Sequence, residues 1–157
     1  MSTQASAELA VWVRLLRGHA GLTAQLTSEL QRAHGLSIND YEVLLLLSHA
    51  EDDRLRRVDL ANEVKLTASG ITRLLRGLEK RELVERAACD TDARVSYAVL
   101  TEAGRDKLAQ ASGPYLEAVS AALTELYSEQ ELRTLSELLA RLPGAQSEVD
   151  PRLCKGG

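Results

Sequence analysis

Leu9, Trp12, Val13, Leu16 and Ala20 recur at steps of three and four residues, and Leu22, Leu26 and Leu30 continue the pattern on a drifting face. That spacing predicts one long amphipathic helix over about residues 7–33. Gly18 and Gly21 are soft positions within it, and His34-Gly35 stops it. Ser37 is placed to cap a second helix, with Asp40 adding favourable charge three residues on. Tyr41, Leu44, Leu45 and Leu47 fill its inner side, and it ends near Ala50. After the polar turn Glu51-Asp52-Asp53, Arg54-Leu55-Arg56 suits a very short strand. Val58 to Val64 reads as a short third helix, with Leu60, Ala61 and Val64 inward. Lys65-Leu66 is a tight turn, and Thr67 caps a fourth helix from Ala68 to Arg81. Ile71, Leu74, Leu75 and Leu78 form its inner stripe, while Ser69, Thr72, Arg73, Arg76 and Lys80 face outward.

The period then changes from helical to alternating. Leu83 to Ala87 and Val95 to Leu100 read as strands, with Val95, Tyr97 and Val99 on one face. The polar stretch from Ala88 to Arg94 makes them a hairpin with an extended tip. Thr101 caps a fifth helix to about Tyr127, and Pro114 inside it predicts a kink near Ser112-Gly113. Ser128-Glu129-Gln130-Glu131 fits a capping box. It opens a sixth helix carrying Leu132, Leu135, Leu138, Leu139 and Leu142, closed by Pro143-Gly144.

Two short helices joined by a tight turn and followed by a hairpin make a winged helix-turn-helix. The expected fold is mainly α (α+β), with six helices and a β-hairpin wing, and with the terminal helices forming a dimerisation layer. The expected division is an N-terminal dimerisation helix (1–36), a winged helix-turn-helix (37–100), C-terminal dimerisation helices (101–142) and a flexible tail (143–157). Together they form one structural domain, the usual outcome for 157 residues.

Composition narrows this picture. Phe is absent and aromatics are 3% of the chain, so the core must be built from Leu, Val, Ile and Ala. No apolar run approaches the roughly 18 residues of a membrane span. Met1 to Glu8 lacks the basic start and apolar stretch of a signal peptide, so the cytoplasm is expected. Cys89 and Cys154 have neither metal-ligand spacing nor a disulfide framework. They read as ordinary thiols of a reducing compartment, with a redox-sensing pair as the sharper alternative. The net charge of −4 hides an uneven distribution. Residues 54–94 carry ten Lys/Arg against seven Asp/Glu, and the remainder nine against sixteen. A basic centre between acidic ends suits a middle that faces DNA.

The chemistry follows from shape. A helix fits the major groove of B-DNA if one face is buried and the other is polar. The fourth helix meets both conditions and offers Ser69, Thr72, Arg73 and Arg76. Arg94, at the tip of a narrow ribbon, can enter the minor groove. Asp92 would repel phosphate, so it is read as the partner that shapes the tip. Leu116, Val119, Leu123 and Leu126 have the spacing of a packed helix seam. Burying that seam against a second copy gives a two-fold dimer suited to a palindromic site. A monomer with a folded-back helical layer is the alternative.

Leu66-Thr67-Ala68-Ser69-Gly70-Ile71-Thr72-Arg73-Leu74-Leu75, then Leu78-Glu79 and Leu83-Val84-Glu85-Arg86, resembles the recognition-helix region of the MarR family of bacterial transcription regulators. Asp92-Ala93-Arg94 through Leu100-Thr101-Glu102-Ala103-Gly104 resembles that family's wing and the start of the next helix. The resemblance covers roughly residues 7–142. It implies a homodimer built on the first, fifth and sixth helices, with two winged lobes on a pseudo-palindromic site in double-stranded DNA. It further implies repression relieved by a small aromatic or phenolic ligand or by thiol oxidation. Thr67, Ser69, Thr72, Arg73 and Arg76 carry over as recognition-helix contacts, and Arg94 as the wing arginine. Glu82 departs from the pattern, because many relatives have Gly there. A left-handed backbone is strained for Glu, so a different helix end is expected. Trp12, Leu16, His19 and Tyr41 are the candidate effector pocket, with core packing as the plainer role for Trp12.

The peroxide-sensing branch has its reactive Cys near the N-terminus, where this chain has none. Cys89, in the wing, would be the thiol of an oxidation-sensing alternative. His19, His34 and His49 make no ligand pair, and no metal or cofactor is expected. A winged-helix interaction module without DNA binding is a further alternative. An enzyme is disfavoured, because no phosphate loop, nucleophile elbow or zinc-hydrolase motif is present.

Overall fold

The computed structural model describes residues 6–145. Among them lie six α-helices and three strands: α1 (Ala7–His34), α2 (Ile38–His49), β1 (Arg54–Arg56), α3 (Arg57–Glu63), α4 (Ala68–Lys80), β2 (Val84–Ala88), β3 (Ser96–Leu100), α5 (Glu102–Thr124) and α6 (Glu129–Leu139). The fold is mainly helical, with the hairpin where the alternating pattern placed it. The predicted tail beyond residue 145, with Cys154, lies outside the described residues.

The helix starts are fixed locally by side chains. The Ser37 hydroxyl accepts from the Asp40 N–H at 3.1 Å, and the Asp40 carboxylate accepts from the Ser37 N–H at 2.9 Å. Ser128 and Glu131 close the same reciprocal box on α6. The Thr67 hydroxyl accepts from the Gly70 N–H at 3.1 Å. Each satisfies donors that the first turn of a helix leaves open.

The strands pair antiparallel in the order β1-β3-β2, with Arg56 opposite Tyr97 and Val84 opposite Leu100. The inward positions of β3 are Ala98 and Leu100, while Tyr97 and Val99 are half-buried. Beneath the sheet, Leu36, Val43, Leu44, Leu47, Leu60, Leu75 and Leu78 are fully buried, an aliphatic core without Phe.

Several boundaries shift. α3 starts at Arg57, one residue before the expected Val58, and α5 ends at Thr124 rather than near Tyr127. Leu126 and Tyr127 N–H groups both bond back to the Leu123 carbonyl, which closes the helix in a turn. Leu45 and Leu74 are only half-buried. Across Pro114, α5 is unbroken.

The expected change at Glu82 does not occur. Glu82 adopts φ 58°, the left-handed conformation that glycine favours. Its N–H bonds to the Glu79 carbonyl at 3.0 Å and the Leu83 N–H to the Leu78 carbonyl at 3.1 Å, a Schellman closure of α4. Leu78 and Leu83 are both buried, the apolar contact that accompanies this closure. The Thr101 hydroxyl donates to the Glu82 carbonyl at 2.6 Å. The non-glycine backbone is held by bonds from both sides, which offset a strain of about 1 kcal/mol.

Thr101 also accepts from the Gly104 N–H at 3.0 Å, capping α5. Gly104 is buried so closely that a Cβ there would stand 2.0 Å from the Leu83 carbonyl oxygen. The Leu-Thr-x-x-Gly run is therefore a packing device: it sets the start of α5 against the end of α4.

Contacts group the described residues into two compact units, Leu30–Pro114 and the described chain to either side of it. The first contains the helix-turn-helix and the hairpin. In the second, Leu26 and Ala122 are buried, while Leu9, Trp12, Leu16, Leu126 and Leu138 are exposed.

Candidate nucleic-acid interface

Helix α4 is held on three sides. Ile71, Leu75 and Leu78 are buried, Thr67 caps its start, and the Arg57 guanidinium donates to Glu79 at 3.1 Å. That ion pair is only 18% and 29% exposed, so it joins α3 to α4 with little screening by water. The sharp bend between the two helices uses Lys65 at φ 56°.

This support leaves Ser69, Thr72, Arg73 and Arg76 on the exposed side of α4, with Thr67 at its foot. The Thr67 and Ser69 hydroxyls lie 3.2 Å apart, and the Thr72 hydroxyl donates to the Ala68 carbonyl at 2.8 Å. Among the described residues, no carboxylate pairs with Arg73 or Arg76. Such a row offers two cations and several hydroxyls to an anionic, hydrogen-bonding surface.

On the hairpin, Arg94 is 94% exposed. The Asp92 carboxylate accepts from the Arg94 backbone N–H at 3.0 Å and lies 3.5 Å from its guanidinium. The Asp92 carbonyl accepts from the Val95 N–H at 3.0 Å. Asp92 thus closes the turn that sets where Arg94 emerges. Lower on the ribbon, Arg86 donates to the Ser96 hydroxyl at 2.9 Å, and the Arg54 guanidinium sits 5.1 Å from the Tyr97 ring centroid. The motifs did not assign Arg54 or Arg57 a place. Both belong to the basic run that opens the charged middle, but their partners, Tyr97 and Glu79, are distant in sequence.

The effector candidates divide between the two units. Trp12, Leu16 and His19 are exposed on α1, and Trp12 is 59% exposed rather than packed in a core. Tyr41 is 3% exposed inside the other unit, where its hydroxyl donates to Ser112 at 3.1 Å. Of the seam residues, Leu116, Val119 and Leu123 are half-buried and Leu126 is 70% exposed. The Cys89 thiol lies 3.2 Å from the Thr91 hydroxyl, and that bond, with backbone N–H groups of Thr91 and Asp92, lowers its pKa. Among the described residues, no group of three His, Cys, Asp or Glu could hold a metal ion, and no helix is long and apolar enough to cross a membrane.

The family model for the transcriptional regulators SarA/Rot matches residues 25–111. The chain is 30% identical to AbsC, a MarR family transcriptional regulator from Streptomyces coelicolor, over 88% of this chain and 93% of that one, with a TM-score of 0.76. The protein belongs to the MarR family of transcription regulators. It is a winged-helix transcription regulator and not an enzyme. It is also 30% identical to Sco3205, another MarR family regulator of S. coelicolor, over 83% of this chain and 82% of that one, with a TM-score of 0.75. The Sco3205 structure is a complex with DNA. The transcriptional repressor YetL of Bacillus subtilis is 34% identical over 112 residues, 69% of this chain and 66% of YetL.

Proposed function

We propose that this regulator is a homodimeric repressor that binds a pseudo-palindromic site in double-stranded DNA and leaves it on binding a small aromatic ligand. One observation carries the DNA reading. The outward row of α4 is exposed over a rigidly held inner stripe, and the wing beside it ends in an arginine that is 94% exposed. Thr67, Ser69, Thr72, Arg73 and Arg76 then meet base edges and phosphates of the major groove, and Arg94 the minor groove, with Asp92 shaping the tip. The DNA complex of Sco3205 supports this reading, and YetL's description as a repressor supports the sign of regulation.

Dimerisation is supported by apolar side chains left in water: Trp12 at 59%, Leu16 at 51% and Leu126 at 70% exposed. Covering such side chains is favourable by about 25 cal/mol per Å². A second copy would cover them along with the seam Leu116, Val119, Leu123 and Leu126, and would place two α4 helices on one site. Of the four candidate effector residues, Trp12, Leu16 and His19 are exposed on α1 and carry the ligand reading, while Tyr41 is buried in the other unit.

The test is a footprint on the DNA flanking the regulator's own gene, with and without benzoate-type acids. A protected pseudo-palindrome, released by such an acid, is expected. Arg94→Ala should weaken binding while leaving the melting temperature unchanged. Wild-type affinity for that variant in the same salt would refute the wing assignment. Salt-independent or absent binding to all DNA would refute the function and favour an interaction module.

A further inference from the structure

β1 ends at Arg56, where the chain turns directly into α3, while the hairpin runs on past it toward the tip. The gap between the two is a cleft of about 270 Å³ lined by Arg56, Arg57, Val58, Arg94, Val95 and Ser96. Its rim is cationic and its lining is largely apolar. Val58, on the cleft lining, is 58% exposed.

The cations of the cleft differ in what they can still do. Arg57 is turned inward to Glu79. Arg56 meets Asp59 side-on, with Nε at 2.7 Å and Nη2 at 3.0 Å. That fork uses one edge of the guanidinium and leaves the Nη1 edge for a second acceptor. Arg94 stands across the cleft, 94% exposed. An anion bound here would meet the free edge of Arg56, while an attached sugar would lie against Val58 and Val95, leaving Arg94, whose Nε is 3.5 Å from Asp92, to the minor groove.

We propose that this cleft holds a sugar–phosphate step of the DNA backbone, with Arg56 on the phosphate and Val58 and Val95 against the deoxyribose. The proposal rests on the DNA-binding reading and adds a contact between α4 and the wing. A duplex strand alternates anion and apolar sugar at the spacing of one nucleotide, which matches a cleft with a cationic rim and an apolar lining. The contact carries no base information, so it fixes register and strengthens binding to any sequence.

The experiment measures affinity by fluorescence anisotropy over a range of salt, for the protected site and for a scrambled duplex. Arg56→Gln should weaken both about equally and lower the slope of log affinity against log salt by about one. Val58→Asp, which places a carboxylate in the cleft, should weaken both more strongly. Asp59→Asn breaks the same ion pair but keeps the cation, and should bind at least as well as wild type. Equal losses in Arg56→Gln and Asp59→Asn would make the ion pair structural and overturn the proposal. Unchanged affinity and slope in Arg56→Gln would also overturn it, with wild-type binding intact. If Arg56→Gln instead abolishes benzoate binding and spares DNA affinity, the cleft is an effector site and the proposal fails. A wild type that binds no DNA would fail the underlying function rather than this contact.

Discussion

Replacing Gly104 by alanine tests whether α4, the sheet and α5 are locked at one junction. An alanine Cβ there would stand 2.0 Å from the Leu83 carbonyl oxygen, 2.8 Å from Leu100 Cδ1 and 3.0 Å from the Leu83 carbonyl carbon. A comfortable carbon–oxygen approach is about 3.3 Å, so α5 or the Leu83 backbone must retreat by more than about 1 Å. Leu83 cannot yield easily, since its N–H closes α4 and its carbonyl accepts from the Thr101 N–H at 3.2 Å. Overpacking of this kind costs about 1–3 kcal/mol. Straining the two Thr101 bonds, to the Glu82 and Leu83 carbonyls, adds about 1 kcal/mol each. The better helix propensity of alanine returns about 1 kcal/mol. The net loss is about 2–4 kcal/mol, or roughly 5–15 °C in melting temperature for a chain of this length. Thermal melts followed by circular dichroism, at one fixed protein concentration, measure it. Gly77→Ala is the control: it also lies in a helix but has nothing within 4 Å of the new methyl, so it should melt at or slightly above wild type. If Gly104→Ala melts like that control, the close-approach argument is wrong.

Glu82→Gly should raise the melting temperature by a few degrees, because glycine adopts φ 58° without the roughly 1 kcal/mol that glutamate spends there; an unchanged or lower value in the same melt would show that the surrounding bonds remove the strain. Leu123→Glu places an unpaired carboxylate in the proposed seam and should raise the dimer dissociation constant about a hundredfold or more, and sedimentation showing an intact dimer at micromolar concentration would refute that seam. Burial, with Glu63 nearby, raises the Glu42 pKa, so the folded state favours the protonated acid and loses stability as pH rises through that raised value. Glu42→Gln should therefore stabilise the protein at neutral pH and lose its advantage below the ordinary carboxylate range, and a gain independent of pH would rule out this cause.

What the sequence made legible was whatever its neighbours decide. Ser37, Thr67 and Ser128 cap helices through bonds that span three residues, so their identity and spacing were enough. The two faces of α4 follow from its period alone. Where the answer depends on a partner far along the chain, the pattern was silent or misleading. Alternation in β3 separated Tyr97 and Val99 from Ala98 and Leu100, but it could not say which pair the helices would cover. The covered pair is Ala98 and Leu100, at 1% and 6% exposure. Glu82 was expected to change the end of α4, yet the Thr101 hydroxyl, nineteen residues on, holds it in the glycine conformation. Trp12 lay on an apolar stripe and suggested core, but a single chain leaves it 59% exposed. An apolar stripe says that a face must be covered, and it does not say by which molecule.

The two devices at the C-terminal end of α4 make one mechanical unit. Leu83 closes α4 through its N–H, receives the Thr101 N–H on its carbonyl, and meets Gly104 at a distance only glycine allows. Thr101 reaches back to Glu82 and forward to Gly104 with one hydroxyl. The last turn of α4 therefore cannot move without moving the first turn of α5, and β3, which ends at Leu100, is tied to the same point. The helix proposed to read DNA and the strand that carries the wing share one anchor, and that anchor is the start of α5. A force along α5 acts on both at once. A shift of the start of α5 would therefore carry α4 and the wing with it, altering both proposed DNA contacts through a single displacement.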